Sequence, residues 1–204
     1  ICIIWLLCAI LYSNTLFIIN NMKTYMVKNK ALTLIACFFS LNCYSETLIR
    51  VDISEQRLYL IKNEQILSSY PISSSSYGEG QTENSYKTPL GMHKIKEMIG
   101  KNVPKDTIFI SRINTKRTAK IIKLPNDTKD DFVTSRIMWL EGEEDGFNKG
   151  EGIDSYDRYI YIHGTQEEGL IGSKASHGCI RMFNNDVIEL YKMVKKGTKV
   201  LIVV

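Results

Sequence analysis

The stretch Arg158-Tyr159-Ile160-Tyr161-Ile162 alternates aromatic and aliphatic residues and runs directly into His163-Gly164-Thr165. A two-residue period built from β-branched and aromatic side chains is the pattern of a strand, and its apolarity on both faces marks a central one. We read it as a central strand ending at His163. Upstream, Leu48, Val51 and Ile53, then Leu58 and Leu60, then Ile66 to Ile72 repeat the same short alternation, and Asn63-Glu64 suits a tight hairpin between two of these runs. Lys87-Thr88-Pro89-Leu90-Gly91 reads as a turn leading into a further strand-like run, Met92 to Met98. Downstream the period changes. Val187, Leu190, Tyr191 and Val194 recur at helical spacing, with Asn184 or Asn185 as N-cap, Asp186 in the first turn, Lys192, Lys195 and Lys196 in the last, and Gly197 as the stop. Lys199 to Val204 closes the chain as an apolar strand. The expected fold class is therefore mainly β, a β-rich α+β domain over residues 46–204 with one helix near its C-terminus and no internal repeat.

Two segments interrupt the strands. Ser73 to Ser85 is rich in Ser and Gly, and Glu141 to Asp157 is polar, acidic and Gly-rich. Both read as long loops, a class that often carries function, and the second could serve as a lid over a cleft.

The chain has 204 residues, 24% charged and 44% hydrophobic, enough for one ordinary domain with a core. That composition excludes a disordered tail protein and a collagen-like repeat. Of the 26 basic residues only Lys23, Lys28 and Lys30 precede Glu46, which leaves 23 against all 22 acidic residues in the remainder. A near-neutral balance gives nucleic acid no electrostatic claim.

Residues 1–45 contain no acid and hold two apolar runs, Ile1 to Ile19 and Ala31 to Leu41, separated by the lysines. This is the composition of a targeting region. The second run has the parts of a secretory signal: a basic start from Met22, an apolar stretch too short to span a bilayer, and small residues at Cys43 and Ser45. Met22 is the expected start, and the expected location is the periplasm or cell envelope. Two rival readings, an anchor made of residues 1–19 and a lipoprotein signal at Leu34-Ile35-Ala36-Cys37, also place the globular part outside the cytoplasm.

With Cys2, Cys8, Cys37 and Cys43 in that region, Cys179 is the lone thiol of the domain, so no disulfide within the domain is expected. A lone thiol outside the cytoplasm is either buried and inert or used. Its neighbours favour use. Ser176-His177-Gly178-Cys179-Ile180-Arg181 follows fourteen positions after His163, and two of the chain's three histidines lie in these segments. A thiol with an ordinary pKa of about 8.5 needs a base to act near neutrality, and an imidazole supplies one. Gly178 lets the backbone turn its N–H groups toward a developing oxyanion. Arg181 offers a forked cation suited to a substrate carboxylate. The spacing of His163, His177 and Cys179 matches no common zinc pattern, so no metal is expected, and His93 reads as a surface or structurally satisfied residue.

The pair Ile162-His163-Gly164-Thr165 and Ser176-His177-Gly178-Cys179-Ile180-Arg181-Met182 resembles the signature of the L,D-transpeptidases, the YkuD-like catalytic domain. Thr88-Pro89-Leu90-Gly91 and Tyr159-Ile160-Tyr161 extend the resemblance over most of residues 47–204. It implies a β-sandwich-like fold, Cys179 as nucleophile, His163 as general base oriented by the Gly164 carbonyl, and His177 as a secondary member of the site. It further implies Gly178 and Cys179 N–H groups as oxyanion donors, with Ser176, Arg181 and Tyr161 on the substrate side. The partners so implied are peptidoglycan stem peptides, with carbapenems as inhibitors, and neither metal nor organic cofactor is called for. A cysteine hydrolase of wall peptides and a non-catalytic wall-binding protein with an inert Cys179 are the alternatives.

Overall fold

Three antiparallel strands, β1 (Thr47–Asp52), β2 (Arg57–Lys62) and β3 (Gln65–Ser73), form the expected meander. Alternation decides which side chains enter the core: Ile49 and Val51, Leu58 and Leu60, Tyr70 and Ile72 are buried. Asn63 and Glu64 both adopt left-handed backbone, φ 51° and 63°, as a two-residue hairpin turn matched to the strand twist requires. The computed structural model describes residues 47–204, so the signal, anchor and lipoprotein readings of residues 1–45 and the start at Met22 lie outside the described residues.

Seven more strands follow: β4 (Gly91–Ile99), β5 (Thr107–Ile110), β6 (Ile113–Thr118), β7 (Val133–Gly142), β8 (Tyr161–Thr165), β9 (Ile180–Met182) and β10 (Lys199–Val203). Their order, β4-β10-β1-β2-β3-β9-β8-β7, closes on itself because β7 also pairs with β4. The sheet is thus a strand-rich ring of eight, with parallel pairs only at β1–β10 and β8–β9, and the β5–β6 hairpin hangs from β7. Each of the eight strands is thus paired on both sides, although β3 reaches β9 only through Ile72 and Ser73 and keeps an open edge before them. The larger core cluster joins β1, β2, β3, β4, β7, β8, β9 and β10 to Val187, Leu190 and Tyr191 of the helix α1 (Asn184–Met193).

One edge of β7 pairs with β8, and the other is shared, β5 taking Val133 and Thr134 and β4 taking Ile137 to Gly142. Ser135 and Arg136 fall in the irregularity between, where Ser135 has φ 60°. That bulge sends Ile137 and Trp139 into a second, aromatic cluster with Phe109 and Tyr161, against which Cys179 packs, and Met138 and Leu140 into the main core.

Several local expectations are corrected. The central strand begins at Tyr161, because Tyr159 sits in left-handed backbone with φ 57°, and it continues through His163 to Thr165. The N-cap of α1 is Phe183, without a side-chain cap. Asn184 is instead the first helical residue and fully buried. Its Nδ2 donates to the Thr165 carbonyl (2.7 Å), and its Oδ1 accepts from Thr134 Oγ1 and Ser135 Oγ (2.6 Å each). Glu168 supplies the anion at that helix start, accepting the Asn184 N–H at 2.9 Å. Lys195 and Lys196 lie beyond the last helical residue, Met193. The Glu141–Asp157 segment begins inside β7 and is fastened at its middle, since the fully buried Asn148 donates to the carbonyls of Leu90 and Met92 (3.0 Å each), so no free lid is formed there. His93 is satisfied and buried, with Nδ1 3.0 Å from Gly91 O and Nε2 2.9 Å from Ser155 Oγ.

Candidate active site

The two signature segments become neighbouring parallel strands. Ile162 pairs with Ile180 and His163 with Arg181, so with a two-residue side-chain period Tyr161 and His163 on β8, Arg181 on β9 and Cys179 just before β9 share one face. Placement on one face of residues sixteen apart in sequence thus follows from one ladder. Thr88, from the turn before β4, anchors the nucleophile loop by donating from Oγ1 to the Gly178 carbonyl at 3.1 Å.

His163 is almost wholly buried. Its Nδ1 lies 2.7 Å from the Gly164 carbonyl, which can only accept, so Nδ1 carries the proton and Nε2 is left as a free lone pair. Burial pushes the imidazole down to about 4, against the upward pull of Asp131 and the Gly164 carbonyl. Gly164 is needed for this approach: a Cβ there would meet Asn184 Oδ1 and sit 2.9 Å from the Thr134 carbonyl.

Cys179 is half-buried. Its sulfur accepts from the Tyr161 N–H and donates to the Tyr159 carbonyl, 3.4 Å each, and forms no hydrogen bond with His163 among the described residues. Burial pushes the thiol up to about 12, the Tyr161 N–H opposing. At rest, then, the pair is a neutral thiol beside a neutral imidazole. Contacts of this kind are often long before substrate arrives and tighten with it.

The remaining expected residues are placed differently from the sequence reading. Ser176 is fully buried, and its hydroxyl donates to the Cys179 carbonyl (2.6 Å) while accepting the Gly178 N–H (3.3 Å), so it clasps the nucleophile loop instead of meeting substrate. Gly178 has φ 116°, a backbone that favours glycine, with its N–H already turned to Ser176. Arg181 is 1% exposed and spent on carboxylates: NH1 on Glu167 Oε2 at 2.9 Å and NH2 on Asp131 Oδ2. It is not open to a substrate carboxylate. Tyr161 is buried among Trp139 and Phe109, so it lines the floor under Cys179. His177 is half-exposed, with Nδ1 3.2 Å from Asp131 Oδ2 and its ring between those of Tyr77 and Tyr86. A cavity of about 220 Å³ is lined by Glu83, Tyr86, Asp157, Arg158, Tyr159 and His177 among others, Tyr159 being the residue whose carbonyl accepts from Cys179 Sγ. Among the described residues no group of His, Cys, Asp and Glu could hold a metal ion.

The family model of the YkuD L,D-transpeptidase catalytic domain matches residues 46–202. The chain belongs to this L,D-transpeptidase family. Two curated relatives carry the L,D-transpeptidase name, both from Bacillus subtilis. YqjB is 49% identical over 47 residues, 22% of this chain and 27% of that protein, and YkuD is 56% identical over 41 residues, 20% and 25%. The chain therefore aligns with about a quarter of the length of each. Among solved structures it is similar to an L,D-transpeptidase from Mycobacterium smegmatis (16% identity, TM-score 0.47, 78% of this chain and 59% of that one). It is also similar to L,D-transpeptidase 3 from Mycobacterium tuberculosis with a faropenem-derived adduct (16%, TM-score 0.47, 76% and 59%).

Around the family's signature residues the structure adds four that sequence reasoning missed. Asp131 and Glu167 neutralise Arg181. Arg158 donates to the carbonyls of Gly80 (3.2 Å) and Lys87 (2.6 Å), pinning the Ser-rich loop. Arg112, from the β5–β6 turn, lies over Trp139 and Tyr159. Asp131 ends a charged run from Asp127 that looks like any solvated loop, and only its contact with Arg181, 50 positions away, distinguishes it.

Proposed function

We propose that this chain is an exported peptidoglycan L,D-transpeptidase. Its reaction begins as Cys179 attacks the carbonyl between the third residue of a stem tetrapeptide and its terminal D-alanine. The thiol proton passes to Nε2 of His163 as the C–S bond forms. Collapse of the tetrahedral intermediate breaks the C–N bond, the same proton goes to the departing amine, and D-alanine leaves with a thioester on Cys179. An amine of a neighbouring stem then attacks that thioester, loses its proton to His163, and restores the thiol with a bond between third residues. Splitting one difficult step into two lowers each barrier. A carbapenem presents the thiol with a strained acyl carbon of the same kind and is expected to acylate Cys179. The apolar and basic pattern of residues 22–45 supports export.

The observation that carries this reading is His163: a neutral imidazole whose tautomer is fixed by the Gly164 carbonyl, with Nε2 free on the same face as the thiol. An inert structural cysteine needs no such partner. The test is incubation of the enzyme with disaccharide tetrapeptide, wild type beside Cys179→Ala, following D-alanine release and product masses. Dimers linked through third residues, absent with Cys179→Ala, are expected. Tripeptide alone would make the enzyme a hydrolase, and no D-alanine from the wild type would overturn the acyl-transfer reading.

A further inference from the structure

Cys179 has an aromatic floor, and that floor holds an arginine with no counter-ion among the described residues. Ser111 and Arg112 form the two-residue turn of the β5–β6 hairpin, both in left-handed backbone (φ 47° and 67°), with Ile110 paired to Ile113 on either side. The tight turn fixes where Arg112 leaves the backbone. Its guanidinium carbon sits 4.7 Å from the Trp139 ring centre and 4.9 Å from that of Tyr159, and NH1 donates to the Tyr161 hydroxyl at 3.1 Å. Trp139 is itself stacked on Tyr156 at 4.0 Å and set edge-on to Tyr161. The backbones of Tyr159 and Tyr161 are the two partners of the Cys179 sulfur, so one tyrosine side chain separates this cation from the nucleophile.

Unspent donors set Arg112 apart from its neighbours. Arg181 is closed off by two carboxylates, and Arg158 donates to two backbone carbonyls. Among the described residues Arg112 makes no ion pair. Its neighbours are the phenols of Tyr161, Tyr159 and Tyr156, which carry no charge near neutral pH. A guanidinium has five N–H donors in a planar fork, and here the aromatic faces fix the plane while only one nitrogen is engaged. Such a cation is oriented and charged, and its remaining donors match the two oxygens of a carboxylate.

We propose that Arg112 is a specificity residue of this site and receives the side-chain carboxylate of the residue being acylated. The role that the sequence pattern suggested for Arg181 thereby passes to the hairpin tip. This rests on the acyl-transfer reading of Cys179, since a carboxylate held one side chain from the sulfur selects donors whose third residue is acidic as well as basic.

The test uses the full chain and two tetrapeptide donors that differ only in whether that carboxylate is free or amidated, with kcat/KM from D-alanine release. The wild type should prefer the free acid by about 10- to 100-fold, the worth of one charge-assisted hydrogen-bonded pair. In Arg112→Gln the acid-to-amide ratio should collapse toward one, and Arg112→Lys should keep only part of it. A ratio unchanged in Arg112→Gln overturns the proposal. If Arg112→Gln does not fold, Arg112→Lys alone decides: a severalfold lower ratio supports the role and an unchanged one refutes it. Calorimetric binding of both peptides to Cys179→Ala, with and without Arg112→Gln, separates this claim from the reaction. Acid preference that needs Arg112, together with a wild type that releases no D-alanine, would sink the acyl-transfer reading and leave Arg112 its ligand. Equal binding of acid and amide to Cys179→Ala would overturn the role of Arg112.

Discussion

Lowering the pH should stop acylation late, near pH 4, and not near the ordinary histidine value of about 6.5. Burial holds His163 at about 4 and Cys179 at about 12. Both shifts favour the uncharged form, so the resting pair is a neutral thiol and a neutral imidazole. A standing ion pair is thereby excluded as the resting form, and proton transfer has to accompany C–S bond formation. The assay is the rate of carbapenem acylation, followed by loss of β-lactam absorbance across an acid-to-neutral pH series and checked by intact mass. We expect a plateau through neutrality, an acid limb centred near pH 4, and no thiolate ultraviolet absorbance at pH 7. An acid limb near 6.5, or a thiolate band at neutral pH, would refute the neutral-pair argument. The same burial has a stability counterpart. The unfolded chain takes up protons on its histidines near pH 6.5, whereas folded His163 and His93 resist until about 4. Stability is therefore complete above about 6.5 and is lost as pH falls through that window, on the order of 3 kcal/mol for each histidine.

Gly164→Ala should lower the urea midpoint by the equivalent of about 1–3 kcal/mol, because its Cβ would sit 2.9 Å from the Thr134 carbonyl and press on Asn184; an unchanged midpoint would mean that the strand yields freely. Glu167→Gln should cost about 3–5 kcal/mol by leaving the buried Arg181 half-paired, and Asp131→Asn less, since the Glu167 side chain is 0% exposed and that of Asp131 32%; the reverse ranking in urea unfolding would contradict the pairing as described. His93→Ala should cost about 1–3 kcal/mol, through two lost hydrogen bonds, while carbapenem acylation continues at the wild-type rate; a slowed acylation would place His93 in the chemistry.

What the sequence disclosed was local. The β1–β3 meander, the Asn63-Glu64 hairpin and the closing strand are legible because their pairing partners are near in sequence or their alternation is strict. Cys179 and His163 are legible because a lone thiol and two of three histidines crowd into two short segments. Residues 99–140 gave no reading, and three strands lie there. β6 (Ile113–Thr118) is almost all exposed, with no apolar face to announce it, and β7 is apolar enough for either a strand or a helix. Ring closure through β4–β7 and β3–β9 is nonlocal, set by which edges remain once the hairpins form. Arg181 was misjudged for a related reason: its residue type proclaims a carboxylate partner, but its partners are internal, Glu167 14 positions and Asp131 50 positions before it.

The pairing of Arg181 bears on the chemistry. An unpaired guanidinium beside Cys179 would stabilise the thiolate, the device by which many reactive cysteines are made acidic. Here Asp131 and Glu167 outnumber it, and Asp131 pushes the thiol up while favouring the protonated imidazole. Both effects favour the protonated form. They make the imidazolium easier to form and the free thiolate harder, which suits a proton that moves only as the sulfur attacks. The buried Arg181 then works as a brace, holding Asp131 against His177 on one side and Glu167 beneath β8 on the other. Arg158 is also free of carboxylates but has given NH1 and NH2 to backbone carbonyls, so a substrate anion calls for a guanidinium with donors still unspent. At this aromatic floor that is Arg112.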